Sequence, residues 1–221
     1  MIKKYMRNVD IAEGEYYHIF GRGNNKQNVF VGDADYIRFL FLIFHFQSPK
    51  NFENIGRFVK YFVKHGVFNI DRDVIEDIMR DRFVELAAFS LMPNHYHLLV
   101  RAIEDDGIAK YMQRVLNSFT KYFNTKHKRS GHLFQGPYGA KHVENNKQLL
   151  HLSAYIHKNP TELHDWQNAE IKYPWSSYQD LVVDNRWGSL LFSEIILNQF
   201  SNKGEYHNFV RNSGVKEMDD C

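Results

Sequence analysis

The sequence predicts an α+β fold of the ferredoxin-like βαββαβ type, in which an antiparallel sheet carries helices on one face. Strand-like and helix-like apolar patterns follow one another in that order, and turn-forming Gly and Pro residues separate them. The chain has 221 residues, 43% of them hydrophobic, which is enough to bury a full core. A helical insertion over residues 47–82 and a helical C-terminal extension are expected in addition.

The first strand and the first helix precede the insertion. A short aromatic run over residues 16–20 ends at a glycine-containing turn and predicts a strand. Asp33 is expected to cap a helix over residues 34–46, where apolar residues recur at helical spacing. Within the insertion, residues 56–65 and 71–79 predict two short helices, and a glycine would end the first of them.

The second half of the pattern begins with a β-hairpin. Apolar strands over residues 84–91 and 95–102 are separated only by Met-Pro-Asn, a turn sequence. A long amphipathic helix is expected over residues 108–127, and a short strand over residues 140–143 follows a loop. Further helices are expected over residues 146–157, 193–200 and 203–211.

Cysteine usage and the apolar runs bear on location. The one cysteine, Cys221, excludes an intrachain disulfide and a thiolate zinc cluster, which fits a reducing cytosol. Met1–Asp10 lacks the apolar centre of a signal peptide, and the longest apolar stretch, residues 39–46, is too short to span a bilayer. We therefore expect a cytoplasmic protein without a membrane partner.

Positive charge is concentrated in one segment. The net charge is only +2, yet the segment from Lys110 to Lys147 holds eight Lys and Arg residues against one acid, Glu144. Such a segment in a nearly neutral chain indicates a polyanionic partner. An ordinary solvated helix face would give the same charge pattern and stays open as the alternative.

Two histidines on the second hairpin strand are candidate metal ligands. His95 and His97 are two residues apart, so on a strand both imidazoles point to the same face. Neutral imidazoles fixed on one side of a strand can form two corners of a metal site. The alternative is a pair of structural or surface histidines in a chain that has twelve.

The chain lacks the common nucleophile motifs, which leaves tyrosine as a candidate. It has no G-x-S-x-G elbow, no P-loop and no suitably placed cysteine. A phenol can attack phosphorus once a metal polarises the phosphate. Tyr122 lies on the flank of the apolar stripe of the long helix, and Tyr111 lies on nearly the same flank. Both could instead be packing residues with wet hydroxyls.

Several segments together resemble one protein family. The sequence FSLMPNHYHLLV over residues 89–100 resembles the histidine–hydrophobe–histidine strand of the single-tyrosine HUH transposases. These are insertion-sequence transposases that include the REP-associated tyrosine transposases. Other segments similar to that family are YHI with RGNN (17–25), SFTKYFN (118–124), SGHLFQG (130–136), YIH with NP (155–160) and WSSY (175–178).

The resemblance implies a metal-dependent endonuclease that nicks and rejoins single-stranded or hairpin DNA. His95 and His97 would hold Mg²⁺ or Mn²⁺ on the scissile phosphate, and Tyr122 would attack it to form a 5′-phosphotyrosine linkage. The basic segment would then neutralise DNA phosphates. Expected backbone contacts are Arg22, Lys128 and Arg129, and expected base contacts are His132, Phe134 and Gln135.

The sequence departs from the family pattern in the metal site. Relatives often have a third ligand, commonly glutamine, one turn after the tyrosine, where this chain has Lys126; His127 or a water is the substitute we consider. Two rival functions therefore stay open. One is a domesticated DNA-binding protein of the same fold, and the other is a phosphoesterase that uses water while Tyr122 is structural.

The resemblance also implies a domain division. Residues 1–180 would form the transposase domain, and residues 181–221 a C-terminal extension that ends in an acidic tail. The insertion over residues 47–82 could cover the domain, contact a second copy or bind DNA. Relatives include dimers that exchange tyrosines as well as monomers, so a homodimer is one option.

Overall fold

The computed structural model describes residues 9–51 and 53–214, and in that part of the chain four strands form one antiparallel sheet. The strands are β1 (Tyr16–Arg22), β2 (Val84–Met92), β3 (His95–Ala102) and β4 (Gly139–His142). Their order in the sheet is β2-β3-β1-β4, and every neighbouring pair is antiparallel. This is the ferredoxin-like order, so the predicted fold class is confirmed.

Most helices of the described residues lie close to the predicted ranges, but the short helix over residues 178–182 was not predicted. They are α1 (Asp33–His45), α2 (Ile55–His65), α3 (Arg72–Arg80), α4 (Gly107–Lys126), α5 (Asn146–Lys158), α6 (Tyr178–Val182), α7 (Glu194–Leu197) and α8 (Lys203–Asn212). None of these helices is both long and apolar enough to cross a membrane. The predicted acidic tail and Cys221 lie outside the described residues.

The sheet is covered on both faces. The two helices of the βαββαβ pattern, α1 and α4, lie on one face as predicted, where Phe39 of α1 packs against Tyr96 of β3 and Phe119 of α4 at ring-centroid distances of 5.2 and 5.0 Å. Helix α5, which follows the pattern, covers the opposite face and packs against β2 and β3. Because both faces are buried, β2 and β3 are apolar along most of their length and do not alternate with polar residues.

The start of α1 differs from the prediction in its capping residue. The helix begins at Asp33, but the carboxylate of Asp35 accepts hydrogen bonds from the backbone N–H groups of Val31 (3.0 Å) and Gly32 (3.3 Å). Asp35 is fully buried, whereas Asp33 is exposed. The buried carboxylate therefore satisfies the unpaired N–H groups at this end of the helix.

The insertion and the C-terminal segment pack into the same hydrophobic core as the sheet. Phe62 of α2 and Phe68 pack around Phe41 and Phe44 of α1, and Trp187 stacks on Phe44 at 4.4 Å. Trp187 also contacts Phe62 and Phe68. The insertion thus thickens the α1 layer, while the division at residue 180 stays a prediction.

The WSSY segment runs along the outer edge of β2. The N–H of Leu91 donates to the carbonyl of Trp175 (2.9 Å), and the N–H of Ser177 donates to the carbonyl of Phe89 (3.0 Å). These bonds occupy backbone groups that an edge strand would otherwise expose. The segment therefore ends the sheet on this side and leads directly to α6.

A buried hydrogen-bond network fixes α5 on its face of the sheet. His157 of α5 has Nε2 2.8 Å from Oγ of Ser177 and Nδ1 2.6 Å from the hydroxyl of Tyr206 in α8. The ring of Tyr178 stacks on His157 at 5.1 Å. Burial lowers the pKa of His157 to about 3, so the imidazole stays neutral and both ring nitrogens are used.

Buried neutral histidines predict that stability falls in acid. Below pH 6.5 the imidazole of His157 is protonated in the unfolded chain but stays neutral in the folded state. The free energy of unfolding should therefore fall between pH 7 and pH 5. His157→Gln should lower stability at pH 7 and also make this fall shallower, by up to about 1.4 kcal/mol per pH unit. Urea unfolding at several pH values measures both effects.

His164→Gln is the matched control, because the side chain of His164 is 95% exposed. It should keep the wild-type dependence of stability on pH. An unchanged slope in His157→Gln would contradict a neutral, buried His157.

Candidate active site

The structure places His95 and His97 side by side on one face of the sheet, as the sequence predicted. In the register between β1 and β3, His95 lies opposite Arg22 and His97 lies opposite Phe20. The two imidazole rings have centroids 5.1 Å apart, and both side chains are buried. The strand alternation therefore brings two imidazoles and one guanidinium to the same face.

A third histidine, His18 of β1, joins this pair. Its Nε2 lies 2.9 Å from Nδ1 of His97, and the two rings stack at 5.1 Å. The contact uses Nδ1 of His97 and leaves its Nε2 to face outward as an acceptor when Nδ1 carries the proton. In the sequence, His18 appeared only as part of a segment that resembles the family. Its position beside His97 could not be predicted, because the register between β1 and β3 was unknown.

Helix α5 brings a tyrosine and an asparagine to the histidines. The ring of Tyr155 meets His97 edge-on at 5.2 Å and His18 at 5.9 Å. One turn later, Oδ1 of Asn159 lies 3.0 Å from Nε2 of His95. Tyr155 and Asn159 share one side of the helix because they are four residues apart. This spacing was the signal in the sequence that could have identified them.

The structure does not bring Tyr122 to the histidines. Tyr122 belongs to α4, on the opposite face of the sheet, and its hydroxyl donates to Oδ1 of Asp35 at 2.9 Å. The guanidinium of Arg38 lies 4.3 Å from the centre of its ring. Burial and the hydrogen bond to Asp35 raise the pKa of Tyr122. The phenol is thus held as a proton donor to a buried carboxylate.

The other residues considered on α4 have structural contacts as well. Lys126 lies 2.6 Å from Oδ1 of Asp35 and forms an ion pair with it. His127 packs against Phe123 at the end of α4. Tyr111 is fully buried and donates to the carbonyl of Ile43 at 2.8 Å. These contacts join α4 to α1 or lie within α4, so they place neither Lys126 nor its expected substitute, His127, beside the histidine pair.

The three histidines at the site are neutral at physiological pH. Burial lowers the pKa of His18 to about 3, that of His95 to about 4, and that of His97 well below its ordinary value. The positive charges of Arg22 and Lys141 add to these shifts. Neutral imidazoles keep a lone pair for a cation or a hydrogen-bond donor.

The contact between His95 and Asn159 indicates whether the site suits a metal ion. His95 has Nδ1 2.6 Å from Oδ1 of Asn94 and Nε2 3.0 Å from Oδ1 of Asn159. A neutral imidazole carries one N–H and can donate to only one of these oxygens. In the other contact, a ring nitrogen and an amide oxygen therefore face each other, and both are acceptors. With Nδ1 as the donor, Nε2 and the Asn159 oxygen converge as two lone pairs, which suits a cation.

The donor set fits a divalent ion. It comprises the imidazoles of His95 and His97 and the amide oxygen of Asn159. A separation of 3.0 Å between Nε2 and Oδ1 is near that of adjacent ligands each about 2.1 Å from an octahedral ion. The described residues contain no group of three His, Cys, Asp or Glu that could hold a metal, so the amide oxygen is needed for a third protein ligand.

The predicted DNA contacts differ in their positions. Arg22 lies beside the histidines and lines a small cavity with His95, His97 and Gln135. Arg129 donates to the side chain of Gln27 and to the carbonyl of His132, both at 3.2 Å, so it fixes the loop after α4. Lys128 is exposed just beyond the end of α4.

Comparison with known proteins agrees with this architecture. The sequence model of the family described as "Transposase IS200 like" matches residues 59–159. A solved structure of a REP-associated tyrosine transposase bound to a REP hairpin shares the fold, with a TM-score of 0.52 and 16% sequence identity. The match covers 80% of this chain and 84% of that one. No curated protein matches the sequence.

The family match runs from within α2 to the residue after α5, and it includes the histidine strand, Tyr155 and Asn159. The solved structure extends the likeness in fold to most of the chain. The sequence motifs point to the same group. The chain is therefore similar to the IS200-like transposases over residues 59–159, and it shares the fold of a REP-associated tyrosine transposase over most of its length.

Proposed function

We propose that this chain nicks and rejoins single-stranded DNA through a covalent phosphotyrosine, with Tyr155 as the nucleophile. His95, His97 and Asn159 would hold Mg²⁺ or Mn²⁺. The observation that carries the proposal is the packing of Tyr155 against His97, with Asn159, the residue after α5, beside His95. Similarity to a transposase family and the hairpin bound by the solved relative support DNA as the substrate.

Tyr155 takes the role that the sequence gave to Tyr122. A nucleophile must reach the phosphate that the histidine site holds, and Tyr155 lies on the histidine face of the sheet. Tyr122 lies on the other face and bonds to a buried carboxylate. A role for Tyr122 would require α4 to leave its place against α1. The contacts of Tyr122 to Asp35 and Arg38 of α1 oppose that movement.

Each residue of the proposed site has a separate role in DNA cleavage. His95 and His97 present neutral nitrogens, and Asn159 presents an oxygen. When bound, a divalent ion polarises the scissile phosphate and neutralises its charge. As the bond between the Tyr155 hydroxyl oxygen and phosphorus forms, the phenol loses its proton. The bond from phosphorus to the 3′ oxygen breaks, and that oxygen takes up a proton. The linkage retains the phosphodiester energy, so a 3′-hydroxyl can reverse the step and join DNA.

Positive side chains would hold the flanking phosphates. Arg22 lies opposite His95 and can bind the phosphate next to the scissile one through its fork of N–H donors. Lys128 is free to extend toward a more distant phosphate, and we retain Arg129 as a weaker contact because it already holds Gln27. All the proposed site residues belong to one chain, so a monomer can assemble this site.

The proposed ligand set removes the argument for one of the two rival functions. The DNA-binding rival without cleavage depended on Lys126 in a ligand position. In the present proposal Asn159 supplies that oxygen, and Lys126 pairs with Asp35. The phosphoesterase rival differs in forming no covalent product, so one assay separates the three.

Tyr155→Phe should abolish the covalent protein–DNA product, because the ring is kept and only the attacking oxygen is lost. The loss should be at least about 10³-fold in rate. Labelled single-stranded hairpin DNA is incubated with Mg²⁺ or Mn²⁺, and denaturing gels measure the adduct. Tyr122→Phe is the matched control, and it should keep the adduct while lowering stability by about 1 kcal/mol.

The opposite result, an adduct that survives Tyr155→Phe and disappears in Tyr122→Phe, would restore the sequence-based assignment. Cleavage without an adduct in the wild-type protein would favour the phosphoesterase. Binding without cleavage would favour the domesticated DNA-binding protein.

Asn159→Ala should weaken Mn²⁺ binding about 10- to 100-fold, because one oxygen ligand is removed. Asn159→Asp should retain or increase affinity, since a carboxylate oxygen replaces the amide oxygen. Isothermal titration calorimetry with Mn²⁺ alone measures both variants without DNA. Asn124→Ala, on α4, is the control and should bind Mn²⁺ as the wild type does. Equal affinity of Asn159→Ala and the wild type would exclude Asn159 as a ligand.

A further inference from the structure

We infer that Glu162 is a positioning residue of the proposed metal site, because its carboxylate holds the side-chain amide of Asn159 with the oxygen directed at His95. The inference rests on the proposed function, since it concerns the orientation of one proposed ligand. Glu162 lies three residues after Asn159 and acts on the ion through that amide.

Asn159 and Glu162 are brought together by the turn that follows α5. Pro160 has no backbone N–H and cannot continue the hydrogen-bond ladder of the α-helix, and the chain tightens into a 3₁₀ turn over Asn159–Glu162. Side chains three residues apart eclipse each other in a 3₁₀ helix. The side chain of Glu162 therefore lies on the same side of the turn as that of Asn159.

The nitrogen and the oxygen of the Asn159 amide have different partners. Nδ2 donates to Oε1 of Glu162 at 3.4 Å, while Oδ1 lies 3.0 Å from Nε2 of His95. Asn159 is buried, whereas Glu162 is exposed and lines a surface groove together with Tyr155. The exposed carboxylate thus reaches the buried amide from the groove.

The orientation of this amide decides whether the site can accept a metal ion. A planar amide can also be turned so that its oxygen and its nitrogen exchange places. In that orientation the NH₂ group would donate to Nε2 of His95 and occupy the lone pair that a metal ion needs. The amide oxygen would then face the carboxylate of Glu162, and a contact between two acceptors is unfavourable. Glu162 therefore favours the orientation in which the oxygen of Asn159 and the nitrogen of His95 converge.

The other two proposed ligands have partners of the same kind. Oδ1 of Asn94 lies 2.6 Å from Nδ1 of His95, and Nε2 of His18 lies 2.9 Å from Nδ1 of His97. In both histidines the contact is made by the ring nitrogen that the metal ion would not use. Such outer partners fix the orientation of metal ligands. Glu162 completes this arrangement for the third ligand.

Isothermal titration calorimetry with Mn²⁺ alone tests the inference in two backgrounds. In the wild type, Glu162→Ala should weaken Mn²⁺ binding about 10-fold, because the Asn159 amide is then free to turn. In Asn159→Asp the ligand is a carboxylate with two equivalent oxygens, so no amide has to be oriented. In that background Glu162→Ala should leave the affinity unchanged or raise it, because a neighbouring like charge is removed.

Two further variants separate the hydrogen bond from the charge. Glu162→Gln keeps an acceptor oxygen beside the amide and should bind Mn²⁺ within about threefold of the wild type. Glu170→Ala is the matched control, since it removes a carboxylate from the same groove while the contact between Asn159 and Glu162 is kept. It should bind Mn²⁺ within about twofold of the wild type. Because Glu162 is exposed, its substitutions should leave the fold intact.

Equal weakening by Glu162→Ala in both backgrounds would mean that Glu162 acts through its charge alone, and would overturn the inference. Unchanged binding by Glu162→Ala in the wild-type background would overturn it as well. If Asn159→Ala weakens Mn²⁺ binding and Glu162→Ala does not, the proposed function stands and the inference alone fails. If the wild type does not bind Mn²⁺, or Asn159→Ala binds it equally well, the proposed ligand set fails and the inference fails with it.

Discussion

The packing of α5 against the sheet is the interaction on which the candidate site depends. It covers the face that carries His18, His95 and His97, and it brings Tyr155 and Asn159 over them. A two-layer ferredoxin-like domain would leave this face in water, where three imidazoles would be protonated near pH 6. With α5 in place they are buried and neutral, which is the state that can bind a cation.

Burying polar side chains is costly unless each has a hydrogen-bond partner. Around the candidate site most buried polar side chains have one. His97 bonds to His18, and His157 bonds to Ser177 and Tyr206. The hydroxyl of Ser90 is one exception among the described residues: it is buried without a partner, directly across the strand from His97. An unpaired hydroxyl and two converging acceptors at one place are typical of a pocket that is completed by a ligand.

The fold was predictable from the sequence because its elements have strong local patterns. The hairpin that carries His95 and His97 is fixed by an apolar run on each side of Met-Pro-Asn, and strand alternation alone places both imidazoles on one face. The proposed nucleophile was not predictable in the same way. Helical periodicity identifies the buried side of a helix, but it does not say which face of the sheet that helix covers. Tyr122 and Tyr155 both lie on amphipathic helices, and the tertiary arrangement shows which of the two helices covers the histidine face.

In the proposed function, the α1–α4 layer has a structural task and not the catalytic one that the sequence suggested. Asp35 caps α1, accepts the hydroxyl of Tyr122 and pairs with Lys126, so one buried carboxylate ties the start of α1 to the end of α4. Leaving such a carboxylate without partners would be strongly unfavourable, which explains why a lysine stands at position 126. The residues that the sequence favoured for catalysis thus hold α1 and α4 together on the face of the sheet opposite the histidines.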